Sequence, residues 1–167
     1  AGVSCEMDKI NKIAKENNLV VIEDAAQAMN SFYKGRHCGT IGDAGTFSYH
    51  DTKNLHCGEG GSLVVNNTDY FNLSDCVIEK GTNRKKFLNG LVDKYTWVTS
   101  GSSYAMSQFC SVYLLEQLKN INEITKNRLT AWNYYHTCLS QVKDDNFSIP
   151  NIPKHCKHNG HVFYIVL

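Results

Sequence analysis

The sequence lacks the features that mark several large classes of protein. It has only 2 prolines in 167 residues and no low-complexity tract, which argues against a Pro-rich spacer or a disordered chain. No apolar run approaches the roughly 20 residues that a membrane-spanning helix needs. The formal net charge is +1, so there is no electrostatic case for nucleic acid or a membrane surface as a partner.

A disulfide framework is missing as well. The 7 cysteines are widely spaced, their number is odd and they contain no CxxC pair. This pattern favours free thiols in a reducing, cytoplasmic compartment. His–Cys dipeptides at 37–38, 56–57 and 155–156 raise the alternative of a metal-binding module. Zinc ligands usually come in closer pairs than these, so we expect no metal site.

The two ends of the sequence lack the usual boundary signals. It begins without a methionine or a signal-peptide pattern. It ends on an apolar, strand-like run over residues 161–167 that nothing follows. We therefore expect a fragment of a longer protein.

What the sequence does contain is the pattern of an α/β domain. Apolar residues recur at helical spacing over residues 5–17, which predicts an amphipathic helix. The continuous apolar run 19–22 predicts a strand that is buried on both faces, as in a parallel sheet. A helix followed by such a strand is half of a βαβ unit.

The rest of the chain continues with further strands and helices. In order, we predict a loop over 33–42, strands over 44–49 and 62–66, a helix from Thr68 or Asp69 to about residue 80, helices over 104–118 and 121–142, a loop over 144–153 and a strand over 161–167. The polar stretch 81–103 has no clear periodicity. The fold class is therefore α/β.

Polar side chains follow the first two predicted strands at the point where each strand ends. Asp24 and Gln27 follow the first strand, and Ser48 and Lys53 follow the second. A glycine cluster over 58–61 comes next. Because ligands of open α/β sheets bind outside the carboxyl ends of the strands, we expect these side chains to line one crevice.

These residue types match the parts of a pyridoxal phosphate site. A partly desolvated Lys53 would supply a nucleophilic amine for an imine bond, Asp24 a partner for a pyridinium nitrogen, and Ser48 a hydroxyl for a phosphate. Each residue also has a simpler interpretation. A lone lysine is usually a solvated surface residue, and Asp24 is equally suited to capping the turn that follows it.

Longer motifs carry a resemblance to a known family. The segments EDAAQA, YKGRHCGTIGDAGTFSYHDTKN and GEGG, followed by EKGTNRKKF, VDKYTW, GSSYAMSQ and NGHVFYI, resemble the DegT/DnrJ sugar aminotransferases. That resemblance covers essentially the whole chain but only the middle of the family's length. It implies a fold-type-I aminotransferase, with residues 1–120 in the large cofactor-binding domain, a mostly parallel sheet with flanking helices. Residues 121–167 would be a connecting helix and the first strand of the small C-terminal domain.

The resemblance also assigns roles to the four strand-end residues. Lys53 matches the lysine that binds pyridoxal 5′-phosphate covalently, and Asp24 matches the carboxylate that pairs with the pyridine nitrogen. Gln27 matches the amide beside the 3-oxygen of the cofactor, and Ser48 matches a hydroxyl on its phosphate.

Weaker candidates lie on the substrate side. His50 lies between Ser48 and Lys53, and Tyr95 and Trp97 match an aromatic part of the sugar site in similar family members. The chain departs from the family at Ser103, where many relatives have an asparagine that reaches the cofactor phosphate of the neighbouring subunit.

The activity implied is transamination of a nucleotide-linked 4-keto-6-deoxy sugar, with glutamate as the amino donor. The family also implies a homodimer whose active site lies at the subunit interface. Its upstream wall is missing from this sequence, so we expect the stretch by itself to be inactive. A relative that keeps the fold as a non-catalytic binding or regulatory protein is the alternative.

Overall fold

The computed structural model describes residues 1–143 and 146–167. Its elements in chain order are α1 (Met7–Glu16), β1 (Ile22–Asp24), β2 (Phe32–Tyr33), β3 (Arg36–His37), β4 (Ala44–Ser48), β5 (Gly61–Val65), a 3₁₀ turn (Thr68–Tyr70), α2 (Phe71–Ile78), α3 (Arg84–Leu88), α4 (Gln108–Lys119), α5 (Ile121–Leu139) and β6 (Cys156–Lys157). One helix thus precedes five consecutive strands, and helices dominate the rest of the described chain.

The main sheet has the strand order β1-β4-β5. β1 and β4 run parallel, with Asp24 opposite Thr46. β4 and β5 run antiparallel, with Ser48 opposite Gly61. The α/β class and the strands predicted over 44–49 and 62–66 are therefore confirmed, although only one of these two strand pairs is parallel.

The first strand differs from its prediction over 19–22. It begins at Ile22 and continues to Asp24, because its pairing with β4 runs over these three residues. The preceding residue, Val21, is bonded to Asp43 and to Ala44 at the start of β4. Burial on both faces was also wrong, since Leu19 is 61% and Ile22 67% exposed. β4 is the only strand that pairs with β1 in the part of the chain that the structure describes.

A second small sheet replaces part of the loop predicted over 33–42. β2 and β3 form a hairpin whose two central residues, Lys34 and Gly35, have φ angles of 47° and 78°. Positive φ at both positions is the type I′ turn that matches strand twist. β6 pairs with the other edge of β2, which brings the C-terminal segment back to the first half of the chain.

The helices follow the apolar periodicity, with differences at their ends. The helix predicted to start at Thr68 or Asp69 begins as a 3₁₀ turn, and the cap is Asn67, whose side chain accepts from the Asp69 N–H at 3.0 Å. α4 starts only at Gln108, since Ser107 is its N-cap and accepts from the Cys110 N–H at 3.2 Å. α3 lies in the stretch that had no clear periodicity.

The C-terminal end is less regular than predicted. Instead of a strand over 161–167, there is one isolated bridge, in which Val166 pairs with Ser148. Of the loop predicted over 144–153, the first two residues lie outside the described residues.

The hydrophobic core lies directly beneath the ends of β1 and β4. It joins the turn after β1, the end of β4, the loop after it and α4. Its buried members are Ala25, Ala28, Cys38, Phe47, Tyr49, Leu55, Cys57 and Leu114. The polar ends of β1 and β4 therefore lie on a packed hydrophobic core.

Candidate functional site

The parallel pairing of β1 and β4 places the strand-end residues at one edge of the sheet. Asp24 ends β1 opposite Thr46, and Ser48 ends β4 a short distance further along the same strand. A carboxylate and a hydroxyl therefore leave adjacent strands in the same direction. This is the crevice at which ligands of α/β sheets bind.

Asp24 and Gln27 both remain open to solvent. The Asp24 carboxylate accepts from the backbone N–H of Ala26 at 3.1 Å through Oδ1, so it does cap the following turn. That single bond leaves its second oxygen for another donor. The Ser48 hydroxyl is half-buried and accepts from the backbone N–H of His50 at 3.3 Å.

Lys53 lies in a loop that backbone hydrogen bonds close at its base. Tyr49 N–H donates to the Gly60 carbonyl at 2.8 Å, and Cys57 N–H donates to the Tyr49 carbonyl at 2.9 Å. Leu55 is 2% exposed and anchors the loop in the core. Lys53 itself is half-buried, and its N–H donates to the His50 carbonyl at 2.9 Å.

The structure adds three residues that the sequence did not single out. Asn54 Nδ2 donates to the Asn159 carbonyl at 3.0 Å, and Asn54 Oδ1 lies 2.8 Å from Nδ1 of His161. Asn159 Nδ2 donates to the Gln27 carbonyl at 2.9 Å. The segment NGHVFYI carries part of the family resemblance, but no role was predicted for its residues, and its polar residues Asn159 and His161 were the available signal.

The three residues predicted to contact the substrate, His50, Tyr95 and Trp97, have different neighbours in the structure. His50 Nδ1 lies 2.7 Å from the Asp51 carboxylate, and its Nε2 lies 3.6 Å from that of Glu59. Tyr95 packs against Phe87 with ring centroids 6.1 Å apart. Trp97 is 73% exposed and forms an isolated bridge with Thr82. These three stay predictions.

Across residues 1–143 and 146–167, no group of three or more His, Cys, Asp or Glu side chains is arranged to hold a metal ion. Within the same ranges, none of the helices combines the length and apolar composition required to cross a membrane.

Comparison with models of protein families shows which family the chain belongs to. The model of the DegT/DnrJ/EryC1/StrS aminotransferase family matches residues 1–167. The chain belongs to this family.

Individual relatives agree with the family assignment. The chain is 33% identical to an uncharacterized protein of Methanocaldococcus jannaschii, over 100% of this chain and 44% of that protein. It is 32% identical to the GDP-perosamine synthase of Escherichia coli O157:H7, over 99% of this chain and 42% of the synthase. The chain thus spans less than half the length of these relatives.

Solved structures confirm the fold-type-I aminotransferase fold. The aminotransferase TlmJ of Streptoalloteichus hindustanus superimposes with a TM-score of 0.85 and 22% identity, over 98% of this chain and 43% of TlmJ. At that identity the likeness concerns the fold alone.

DegT/DnrJ/EryC1/StrS aminotransferases depend on pyridoxal phosphate, and the donor set found here fits that group. A free carboxylate oxygen on Asp24 suits a pyridinium N–H, the Ser48 hydroxyl suits a phosphate oxygen, and Lys53 supplies a primary amine. Asp24 and Ser48 end the paired strands β1 and β4, and Lys53 follows in the loop after β4.

Proposed function

We propose that this protein is a pyridoxal phosphate-dependent aminotransferase that acts on a nucleotide-linked sugar. One observation supports this most strongly. The parallel pairing of β1 with β4 brings a carboxylate, a hydroxyl and the lysine loop to one sheet edge. The chemistry that needs all three together is that of a pyridoxal phosphate enzyme.

The proposal assigns a role to each of the four strand-end residues. Asp24 accepts a hydrogen bond from the protonated ring nitrogen, Gln27 contacts the 3-oxygen, and Ser48 donates to the phosphate. Lys53 forms the covalent link. When bound, the cofactor supplies an electron sink for the carbanion formed at the substrate carbon.

Lys53 also moves the proton. With the cofactor bound, the Nζ of Lys53 would accept the proton from the α-carbon of the donor as a general base and would deliver it to the cofactor carbon that lies next to the donor nitrogen as a general acid. A half-buried loop closed by the 49–60 backbone bonds suits this task, because it fixes the backbone of Lys53 just after the end of β4.

For the substrate we propose a 4-keto-6-deoxy sugar on a nucleotide, with glutamate as donor. The segments EKGTNRKKF and VDKYTW are similar to those of the transaminase that makes dTDP-4-amino-4,6-dideoxygalactose, and the relationship to GDP-perosamine synthase supports a sugar nucleotide. His50, Tyr95 and Trp97 are the proposed substrate contacts.

The proposal extends to domains, assembly and compartment. α5 follows α4 directly at Asn120, which supports a boundary between the large domain (1–120) and the connecting helix with the start of the small domain (121–167). We propose a homodimer with the site at the subunit interface. All 7 cysteines are free thiols, which supports a cytoplasmic location.

The test uses the protein expressed from its complete reading frame, loaded with pyridoxal phosphate. Glutamate is added, and conversion of the cofactor to pyridoxamine phosphate is followed by absorbance. Lys53→Ala should abolish conversion, whereas Lys12→Ala, which removes an exposed lysine of α1, should leave it unchanged. Retained conversion in Lys53→Ala would contradict the proposal. Cofactor binding without conversion in the unsubstituted protein would favour the non-catalytic alternative.

A further inference from the structure

The segment 159–161 is hydrogen-bonded to both walls of the proposed site. Asn159 is 1% exposed. Its Nδ2 donates to the carbonyls of Gln27 at 2.9 Å and Met29 at 2.8 Å, while its own carbonyl accepts from Asn54. A segment from the last tenth of the chain is therefore fixed between the turn after β1 and the lysine loop.

His161 has its main chain held on both sides. Its N–H donates to Asn159 Oδ1 at 3.1 Å, and its carbonyl accepts from a guanidinium nitrogen of Arg128 on α5 at 3.0 Å. These two bonds fix the backbone position from which the imidazole side chain extends. Little reorganisation would then be needed for the ring to meet a ligand.

Asn54 determines which ring nitrogen of His161 carries the proton. Because its Nδ2 is committed to the Asn159 carbonyl at 3.0 Å, its Oδ1 is the atom that lies 2.8 Å from His161 Nδ1. An amide oxygen only accepts, so Nδ1 must be the donor. In the neutral ring Nε2 then carries the lone pair.

Nε2 is left without a hydrogen-bond partner among residues 1–143 and 146–167. Burial is the main reason that the pKa of His161 lies below the ordinary histidine value, and Arg128, Lys53 and the amino group of Ala1 lower it further. His161 thus presents an unprotonated acceptor at neutral pH.

We propose that His161 is a substrate-contacting residue, whose Nε2 accepts a hydrogen bond from a sugar hydroxyl next to the carbon that receives the amino group. Asn54 is the positioning residue that keeps this nitrogen unprotonated. The inference rests on the proposed transaminase function.

The sugar fits this nitrogen better than the amino donor does. A sugar ring offers hydroxyl donors to an acceptor lone pair. The free carboxylate of an amino acid offers only acceptor oxygens, which need a donor or a cation. We therefore expect that replacing His161 slows the half-reaction with the sugar and leaves the half-reaction with the amino donor unchanged.

The two half-reactions are measured separately in the protein expressed from its complete reading frame. Glutamate converts the bound cofactor to the pyridoxamine form, and a dTDP-linked or GDP-linked 4-keto-6-deoxyhexose converts it back. His161→Ala should lower kcat/KM for the better sugar by about five- to tenfold, the usual effect of one lost hydrogen bond. Conversion by glutamate should stay within about twofold. His161→Gln should regain part of the sugar reaction, since its amide oxygen is an acceptor, and His136→Gln on α5 is the matched control.

A pH profile separates contact from a merely structural role. The sugar half-reaction should weaken as pH falls through the lowered pKa of His161, because a protonated Nε2 no longer accepts. Asn54→Asp places a carboxylate against Nδ1, which favours the charged ring, so this acid limb should move to higher pH. His161→Gln should remove the limb.

The outcomes are distinct. No conversion by glutamate in the unsubstituted protein overturns the proposed function and this inference with it. Normal conversion by glutamate, with an unchanged sugar reaction in His161→Ala, overturns the role of His161 alone. Equal losses in both half-reactions also overturn that role, because they indicate general disturbance of the fold.

Discussion

Glu23 shows how a single buried carboxylate organises the residues around the site. It is 9% exposed and lies directly before Asp24 in β1. Its two oxygens accept the backbone N–H groups of Gly39, Ile41 and Gly42. Hydrogen bonds to a charged acceptor are stronger than neutral ones. The loop before β4 is therefore attached to the end of β1, which fixes the neighbour of Asp24.

Replacing Glu23 by Gln should destabilise the protein without changing the size of the side chain. The amide has one acceptor oxygen, so its NH₂ would meet a backbone N–H. We expect the free energy of unfolding to fall by about 1–3 kcal/mol, measured by urea denaturation. Glu16→Gln, which removes only an exposed pair with Lys12 at 3.9 Å, should change it by less than about 0.5 kcal/mol. Equal effects would contradict the anchoring role.

At the scale of elements, the β2–β3 hairpin depends on the backbone conformation of its turn. Gly35 has a φ of 78°, and a Cβ added there would meet no atom within 4 Å. Any cost of a side chain at this position comes from the backbone conformation alone. The turn joins β2 to β3, and the opposite edge of β2 pairs with β6 in the segment leading to His161.

Gly35→Ala should therefore cost about 1–2 kcal/mol of stability. Asparagine tolerates positive φ better than alanine, so Gly35→Asn should cost less although its side chain is larger. Chemical denaturation of the two variants checks this order. A larger loss in Gly35→Asn would mean that space, and not backbone conformation, limits the turn.

A second element-scale feature is the aromatic cluster on α5. Trp132 packs against His158 with ring centroids 4.4 Å apart and stacks on His136 at 5.1 Å. Burial, and after it the neighbouring His136, holds the pKa of His158 below the ordinary histidine value. The folded state therefore takes up this proton less readily than the unfolded state.

Stability should consequently decrease on acidification. Above the ordinary histidine pKa both states are neutral at His158 and this contribution is complete. As pH falls from that value toward the lowered folded-state pKa, the unfolded chain is protonated first, so the free energy of unfolding declines. His158→Gln should flatten this part of a Tm–pH curve. An unchanged slope would show that another group is responsible.

The sequence predicted these elements to very different degrees. β4, β5, α1 and α5 follow local apolar periodicity and were recognised from it. The hairpin was missed because Lys34 is not one of the residues that usually mark a type I′ turn. β6 and the contacts of Asn159 depend on partners more than a hundred residues away, and no local pattern encodes such pairings. The same holds for the Asn54–His161 pair.

At the scale of the whole molecule, α4 presents an apolar face to solvent. Phe109 is 90%, Val112 64% and Tyr113 54% exposed. Together they line a groove that extends to Ile124 on α5. Contiguous apolar surface of this kind usually marks an interaction site. It is the surface that we assign to the proposed homodimer.

Phe109→Asp should therefore raise the monomer fraction of the protein expressed from its complete reading frame, because a charge would be buried without a partner. Sedimentation velocity measures the change. Thr130→Asp, on the exposed side of α5, is the control and should leave the mass distribution as it is. Identical distributions for both variants would place the interface elsewhere.

The central claim is that Lys53, at the ends of β1 and β4, is the residue that binds the cofactor. The protein is incubated with pyridoxal phosphate, the lysine–cofactor linkage is reduced with borohydride, and the labelled peptide is identified by mass spectrometry. The claim predicts one labelled peptide, containing Lys53, and its loss in Lys53→Ala. Label on other lysines, or label that persists in Lys53→Ala, would contradict it.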